Sequence, residues 1–157
     1  RHKIDEIPNL INIIKGEMSF VGPRPNVKRE TDLYTIEEKQ LLSVRPGITD
    51  LASIVFSDEG DILENSNDPD LDYNQLIRPW KSRLAIFYIK NRTLILDIKL
   101  MFITTISVIS KQSALNSINK ILEKLYAEDK LIEISKRENQ LIPHPPPGSD
   151  SIVKSRE

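Results

Sequence analysis

Two neighbouring carboxylates and one arginine near the start of the chain are the side chains best suited to chemistry on a phosphate. Asp5 and Glu6 directly precede an apolar stretch, and Arg24 stands between two prolines, Pro23 and Pro25. An ionised carboxylate can attack phosphorus or bind Mg²⁺, and a planar guanidinium matches two phosphate oxygens. The prolines restrict the backbone on both sides of Arg24, which holds its side chain in one direction. These residues suit a diphosphate site, but a helix cap and a rigid turn would contain the same residues.

The elements that position these side chains are a short helix and the turn after it. Apolar residues recur at helical spacing at Ile7, Leu10, Ile11, Ile14 and Met18. Asp5 is a favourable N-cap residue, and Gly16 marks the end of the helix. The spacing therefore predicts a helix that begins at the acid pair and ends near Lys15. Its positive end would keep both carboxylates ionised and would favour an anion.

Several segments of the chain resemble the bacterial sugar transferase family, the monotopic phosphoglycosyl transferases. They are Asp5–Asn12, Lys15–Pro25, Val44–Thr49, Tyr88–Thr93 and Asp97–Lys99. The resemblance covers about residues 1–110. It implies a small, compact catalytic domain that is mainly α-helical with little β structure (α+β). It also implies transfer of a sugar-1-phosphate from a UDP-sugar to polyprenyl (undecaprenyl) phosphate, the first step of polysaccharide or glycoconjugate synthesis.

The resemblance also implies a role for each candidate site residue. Asp5 would be the nucleophile that forms an aspartyl-phosphosugar intermediate, and Glu6 would hold a Mg²⁺ cofactor. The substrate-binding residues would be Arg24, Pro25, Arg45 and Asp97.

Three positions in these segments leave alternatives open. Arg45 precedes a Pro-Gly turn and can meet either a phosphate or nearby acids. Asp97 can bind substrate, or it can cap a helix or pair with Lys99 or an arginine. Asp50 stands where the family usually has glycine, and this departure weakens any inference about specificity from the loop.

Composition limits the partners. The chain has 22 basic and 23 acidic residues, so it carries no general affinity for nucleic acid. It has no cysteine and hence no disulfide framework or thiolate metal site. No apolar run reaches the length of a membrane-spanning helix.

The chain begins with Arg1 directly before the matched segments, whereas the family carries a re-entrant membrane helix ahead of them. We therefore expect an amino-terminally truncated domain. The full-length protein would act at the cytoplasmic face of the bacterial inner membrane, and the fragment itself could be soluble. Two other functions remain open: a non-catalytic or inactive domain that serves as a binding module, and a Mg²⁺-dependent phosphohydrolase.

The remaining elements of the first 112 residues, the expected catalytic domain, follow from local patterns. Thr35 and Glu38 have the spacing of a capping box, which predicts a short surface helix through about Leu42. Residues 58–72 are rich in acids and favour a solvated loop. A third helix would carry an aromatic stripe that includes Trp80 and is typical of a core. Residues 94–110 predict a helix with a broad apolar face, which suits burial or a position in the plane of a membrane interface.

The last part of the chain is expected to form two regions. Residues 113–139 would be a helical extension, with apolar residues at helical spacing over 114–126. Residues 140–157 contain a run of prolines and predict an extended, flexible tail that buries little surface.

Overall fold

A computed structural model describes residues 7–24 and 31–154 of the chain. Within these residues the chain is mainly α-helical with one small sheet, which confirms the expected fold class. The helices are α1 (Ile7–Ile14), α2 (Leu51–Val55), α3 (Glu59–Leu63), α4 (Pro69–Asp72), α5 (Arg78–Asn91), α6 (Leu94–Ile109), α7 (Lys111–Lys124) and α8 (Asp129–Lys136). A 3₁₀ helix spans Glu38–Ser43, and a π-helical segment spans Tyr73–Ile77.

The sheet consists of two short parallel strands, β1 (Ser19–Val21) and β2 (Gly47–Thr49), with Ser19 opposite Gly47. After β1 the chain folds back over β2, because Gly47 N donates to Pro23 O at 3.0 Å. A Cβ atom on Gly47 would lie 2.2 Å from the backbone nitrogen of Gly22. The two strands can therefore approach this closely only because neither glycine has a side chain.

Helix α1 forms where the apolar spacing predicts it. Gly16, with φ of +77°, ends it by donating its N–H to Ile13 O at 2.9 Å. The apolar stripe is buried only at its end, since Met18 is buried whereas Leu10, Ile11 and Ile14 are exposed. The predicted N-cap, Asp5, lies outside the described residues.

Helix α5 runs through the centre of the core. Trp80, Leu84 and Tyr88 are buried along it, which confirms that the aromatic stripe is core. It packs on α2, and α2 in turn packs on α6 and α7. The buried residues that these helices contribute include Leu51, Ile54, Val55, Leu100, Ile118 and Leu122.

The capping box predicted at Thr35 and Glu38 is formed, and the short helix that follows lies at the surface as expected, although Glu38 itself is buried. Glu38 N donates to Thr35 Oγ1 at 3.1 Å, and Thr35 N donates to Glu38 Oε2 at 3.0 Å. Glu38 is 0% exposed, because its carboxylate also accepts two hydrogen bonds from Arg78 and one from Ser82. The first residue of this surface helix is therefore tied to α5, while Lys39, Gln40, Leu42 and Ser43 remain exposed.

The acidic stretch over residues 58–72 is not a loop, contrary to the expectation from its charge. Its acids act as helix ends and ion-pair partners, so the stretch folds into α3 and α4. Asp68 caps α4 by accepting from Leu71 N at 3.2 Å. Asp58 forms salt bridges with Lys111 and Arg137.

Helix α6 buries only a narrow strip. Leu96, Leu100 and Ile103 face the core. Large apolar side chains on the rest of the helix are exposed, at Leu94, Ile95, Ile98, Met101, Phe102, Ile106, Val108 and Ile109. We call this exposed set the α6 apolar face. The sequence suited either burial of α6 or a position in the plane of a membrane interface. Full burial is not observed among the described residues.

The carboxyl-terminal region packs against the rest of the domain. Helices α7 and α8 form the expected helical extension. Residues 140–154 are extended, but the expectation that they bury little surface is wrong: Pro146 and Pro147 are buried, and the His144 ring stacks on Trp80 with centroids 4.4 Å apart. The segment is anchored because its backbone carbonyls accept hydrogen bonds from side chains of the domain. The donors are Thr35 to Pro147, Arg83 to Pro145, and Gln75 to Val153.

Candidate functional site

Two adjoining cavities flank the turn that leads into β2, and Val44 lines both. The first cavity, of about 260 Å³, contains Arg24. The second, of about 320 Å³, contains Arg45 and Asp97. The structure therefore brings Arg45 and Asp97 together and places Arg24 in the neighbouring cavity. The other predicted site residues, Asp5, Glu6 and Pro25, lie outside the described residues.

The second cavity is built where α5 ends and α6 begins. Thr93 caps α6 by accepting a hydrogen bond from Leu96 N at 3.2 Å, which places Asp97 in the first turn of α6. Tyr88, near the end of α5, donates its hydroxyl to Asp97 Oδ1 at 2.7 Å. Burial and, next, the hydrogen bond to Asp97 raise the pKa of Tyr88, so the hydroxyl remains a proton donor at neutral pH. One oxygen of Asp97 is thus fixed.

Two arginines lie in this cavity without an acidic partner. Arg45 and Arg92 are exposed, and neither forms a salt bridge with any residue of the described ranges. Among the described residues Arg45 pairs with no acid, Asp97 pairs with neither Lys99 nor an arginine, and the cap of α6 is Thr93 and not Asp97, so none of the structural alternatives for these two residues is seen. Two guanidinium groups outweigh the single Asp97 carboxylate, so the cavity favours an anion.

The first cavity has a different character. Its walls come from the 3₁₀ helix, α2 and α5, and its polar groups include Arg24, Asp50, Lys81 and Ser82. Asp50 is the N-cap of α2: it accepts from Ser53 N at 2.7 Å, while Ser53 Oγ accepts from Asp50 N at 2.8 Å. Burial raises the pKa of Asp50 above its ordinary value, although the Ser53 hydrogen bonds and the charges of Lys81 and Arg24 oppose the rise. This pocket can take a ligand that is both anionic and hydroxylated.

Three residues of these cavities were not singled out from the sequence as site residues. Arg92 lies inside a family-like segment and follows the last residue of α5, which is a signal that could have found it. Tyr88 begins the same family-like segment, but its contact with Asp97 spans nine residues across a helix break and leaves no local signal. Asp50 was noticed only as a departure from glycine.

A metal site needs several ligand side chains close together. Within residues 7–24 and 31–154 there is no cluster of three or more potential ligand side chains of the types His, Cys, Asp and Glu. The residue predicted to hold Mg²⁺, Glu6, is outside these ranges. No helix in the same ranges has the length and hydropathy needed to cross a bilayer.

Comparison with known proteins decides the family. The family model described as Bacterial sugar transferase matches residues 1–111, which include both cavities' arginines. The chain belongs to the bacterial sugar transferase family. Residues 112–154, which contain α7 after its first residue, α8 and the anchored residues 140–154, lie beyond the match to the family.

Two relatives are named for phosphosugar transfer, and a third is named for exopolysaccharide production. The chain is 34% identical over 111 residues to the undecaprenyl-phosphate galactose phosphotransferase of Salmonella typhimurium, covering 71% of this chain and 20% of that protein. It is 34% identical over 85 residues to the UDP-glucose:undecaprenyl-phosphate glucose-1-phosphate transferase of Caulobacter vibrioides, covering 50% of this chain and 32% of that protein. It is 53% identical over 51 residues to the exopolysaccharide production protein ExoY of Sinorhizobium fredii, covering 32% of this chain and 23% of that protein.

The chain spans only part of each relative. The names of the Salmonella and Caulobacter relatives describe transferases that act on undecaprenyl phosphate and on a sugar donor. No solved structure gives a significant match to the chain.

Proposed function

We propose that this protein transfers a sugar-1-phosphate from a UDP-sugar to a polyprenyl phosphate such as undecaprenyl phosphate, and so begins polysaccharide or glycoconjugate synthesis. The observation that carries the proposal is that Arg24, Arg45 and Arg92 line two adjoining cavities of a sugar transferase domain without an acidic partner among the described residues. Cationic side chains with no structural partner suit substrates that carry phosphates. The names of the relatives indicate the same substrates.

The reaction would take place in two displacements at one phosphorus atom. A carboxylate oxygen of Asp5 attacks the sugar-bearing β-phosphorus of the UDP-sugar, and the bond to the bridging oxygen breaks to release UMP. The phosphate oxygen of the polyprenyl phosphate then attacks the same phosphorus and displaces Asp5. The product is a lipid diphosphosugar, and the carboxylate is regenerated.

The arginines would act on the charge of the phosphates. Phosphoryl transfer depends mainly on positioning and on neutralising the oxygens that gain charge. Arg24, with its backbone restricted by Pro23 and Pro25, would bind the donor diphosphate, and Arg45 would bind a phosphate from the other side of Val44. Asp97, held by Tyr88, would help to orient the substrate at that second position.

We also propose a Mg²⁺ ion held by Glu6. Such an ion would supply further positive charge next to the diphosphate.

The α6 apolar face supports a site at a membrane surface. Phe102 is 69% exposed and Ile109 is 86% exposed, which is unfavourable in water for side chains of this size. A helix that lies in the interface plane would bury them in lipid. We therefore propose that the enzyme works at the cytoplasmic face of the inner membrane, where a polyprenyl phosphate is available.

The test is release of UMP and transfer of label from UDP-sugars that carry ³²P at the β position. The purified protein, in nanodiscs with undecaprenyl phosphate, should release UMP and give a labelled lipid. Without the lipid, label should remain on the protein, and Asp5→Asn should abolish this labelling. Asp129→Asn, a change at an exposed acid, is the matched control and should retain it.

Each of the other outcomes identifies a different function. Label that stays on the Asp5→Asn variant would refute Asp5 as the nucleophile. Release of free phosphate without any lipid acceptor would identify a phosphohydrolase. No release of UMP with any UDP-sugar would favour a non-catalytic binding module.

A further inference from the structure

The second cavity adjoins the exposed apolar surface of the domain. Leu94, the first residue of α6, lines the cavity and is also 74% exposed as a member of the α6 apolar face. Phosphate-binding side chains and an exposed hydrocarbon surface therefore meet at one residue.

The apolar surface continues from this point along the helix. Ile98 and Phe102 follow Leu94 at helical spacing on the exposed side, and Ile95 and Ile109 broaden it. At about 1.5 Å per residue, the 16 residues of α6 give a track of about 24 Å. A ligand whose anionic head fills the cavity can thus lay a long apolar chain along the helix.

The first cavity does not adjoin the α6 apolar face. None of its lining residues belongs to α6, and its polar lining includes Arg24, Lys81, Asp50 and Ser82, which suit a ligand that carries both phosphates and hydroxyls. The wall at Val44 separates it from the second cavity. The two cavities therefore differ in their surroundings: the first mixes charged, hydroxyl and apolar side chains away from α6, and the second joins its charges to the α6 apolar face.

Charge at the second cavity matches a phosphate monoester. Such a group carries between one and two negative charges near neutral pH. Arg45 and Arg92 are available to it, and Tyr88 already engages the one carboxylate, Asp97, that would repel it.

We infer that the Arg45–Arg92 cavity binds the phosphate head of the lipid acceptor and that the α6 apolar face binds the first part of its polyprenyl chain. This inference rests on the proposed function, and it assigns the donor to the Arg24 cavity. Donor and acceptor then lie on the two sides of Val44, with their phosphates close to one another.

The experiment measures donor and acceptor kinetics separately on the purified protein. Arg92→Gln should raise the KM for undecaprenyl phosphate by about tenfold to a hundredfold, the value of a hydrogen bond to a charged group. The KM for the UDP-sugar and the burst of UMP released without acceptor should change less than twofold. Lys120→Gln, at an exposed position of α7 away from both cavities, should change none of these. Arg92→Lys, which keeps the charge, should recover part of the loss.

A second variant tests the apolar track. Ile109→Gln should raise the KM for undecaprenyl phosphate but not the KM for farnesyl phosphate, because Ile109 lies about 22 Å along α6 from Leu94, beyond the reach of the short farnesyl chain. Because Ile109 is exposed, this change should not unfold the domain, and unchanged thermal unfolding of each variant verifies this.

The refuting results are distinct from failure of the proposed function. A raised KM for the UDP-sugar in Arg92→Gln, with an unchanged KM for the lipid, would place the donor in this cavity and overturn the inference. Arg92→Gln could also weaken binding to phosphatidylglycerol vesicles that lack polyprenyl phosphate as much as it weakens binding of undecaprenyl phosphate. That result would identify a site for any anionic headgroup and would also overturn the inference. Absence of UMP release from the unmodified protein would instead refute the proposed function.

Discussion

Replacing Glu38 with alanine is expected to lower the free energy of unfolding by about 3–5 kcal/mol, the usual cost of breaking a buried ion pair. Glu38 Oε2 lies 2.6 Å from Arg78 Nη2, and Glu38 Oε1 lies 3.1 Å from Arg78 Nε, so the pair is bidentate. The side chains of Arg78 and Glu38 are 7% and 0% exposed. Without the carboxylate, the Arg78 charge stays buried, and its remaining acceptors among the described residues are the neutral Leu33 O and Asn74 Oδ1.

The loss is large compared with the stability of a domain of this size. Typical domains unfold at a cost of about 5–15 kcal/mol, so the variant would lose a substantial share. For a chain of 157 residues each kcal/mol corresponds to about 2–4 °C in Tm, which gives an expected decrease of about 6–20 °C.

Urea unfolding followed by far-ultraviolet circular dichroism measures the loss. Glu123→Ala is the matched control, because Glu123 is exposed in the last turn of α7 and its replacement should change stability by less than about 0.5 kcal/mol. The double variant Glu38→Ala/Arg78→Met should recover part of the loss, since it no longer buries an unpaired charge. A loss below about 1 kcal/mol in Glu38→Ala, with the same dependence on urea, would refute this reasoning.

Three further predictions concern the backbone and two titrating groups. Gly47→Ala should destabilise the protein by at least about 2 kcal/mol in thermal unfolding, because its Cβ would overlap backbone atoms, whereas Gly60→Ala, whose Cβ meets nothing within 4 Å, should be neutral or slightly stabilising. Burial raises the pKa of Asp50, so ionising its carboxyl lowers the stability of the folded protein as the pH rises above 3.8. Asp50→Asn keeps the helix cap and should resist urea better than the unmodified protein at pH 7. The difference between the two proteins should vanish near pH 3. Burial, assisted by the charges of neighbouring cations, lowers the pKa of His144, so the stacking of its ring on Trp80 should weaken as the pH falls below 6.5. Hydrogen exchange over residues 140–154 should then increase in the unmodified protein but not in His144→Phe. An equal increase in both proteins would refute the idea.

Local patterns in the sequence predicted the elements that depend on neighbours in the chain. Spacing of 3.6 residues placed α1, α5 and α7, and the Thr35–Glu38 pattern predicted the two reciprocal hydrogen bonds of the capping box. The same pattern could not reveal that Glu38 is buried, because its partner Arg78 is 40 residues away.

The candidate site also combines residues that the sequence identifies with spatial relations that only the fold reveals. A family-like motif identified Arg24, Arg45 and Asp97 by position, but only the fold separates Arg24 from the other two and adds Arg92 to their cavity. The roles proposed for Asp5, Glu6 and Pro25 stay predictions, since these residues lie outside the described ranges.

Composition misled the interpretation of the last residues. A proline-rich stretch has few N–H donors and no helical period, which is typical of a solvated chain. Its carbonyls nevertheless accept hydrogen bonds from Thr35, Gln75 and Arg83, and Trp80 provides a flat surface for His144. These partners are distant in sequence, so no local signal announces them.

The anchoring of residues 140–154 has a practical consequence for chimaeric enzymes. A graft that exchanged only residues 1–111, the part shared with relatives, would remove the donors Thr35, Gln75 and Arg83 from the segment that they hold. It would also uncover one side of Trp80 in the host protein. A swap between family members should therefore carry everything through Lys154 as one cassette, with its splice point placed after that residue.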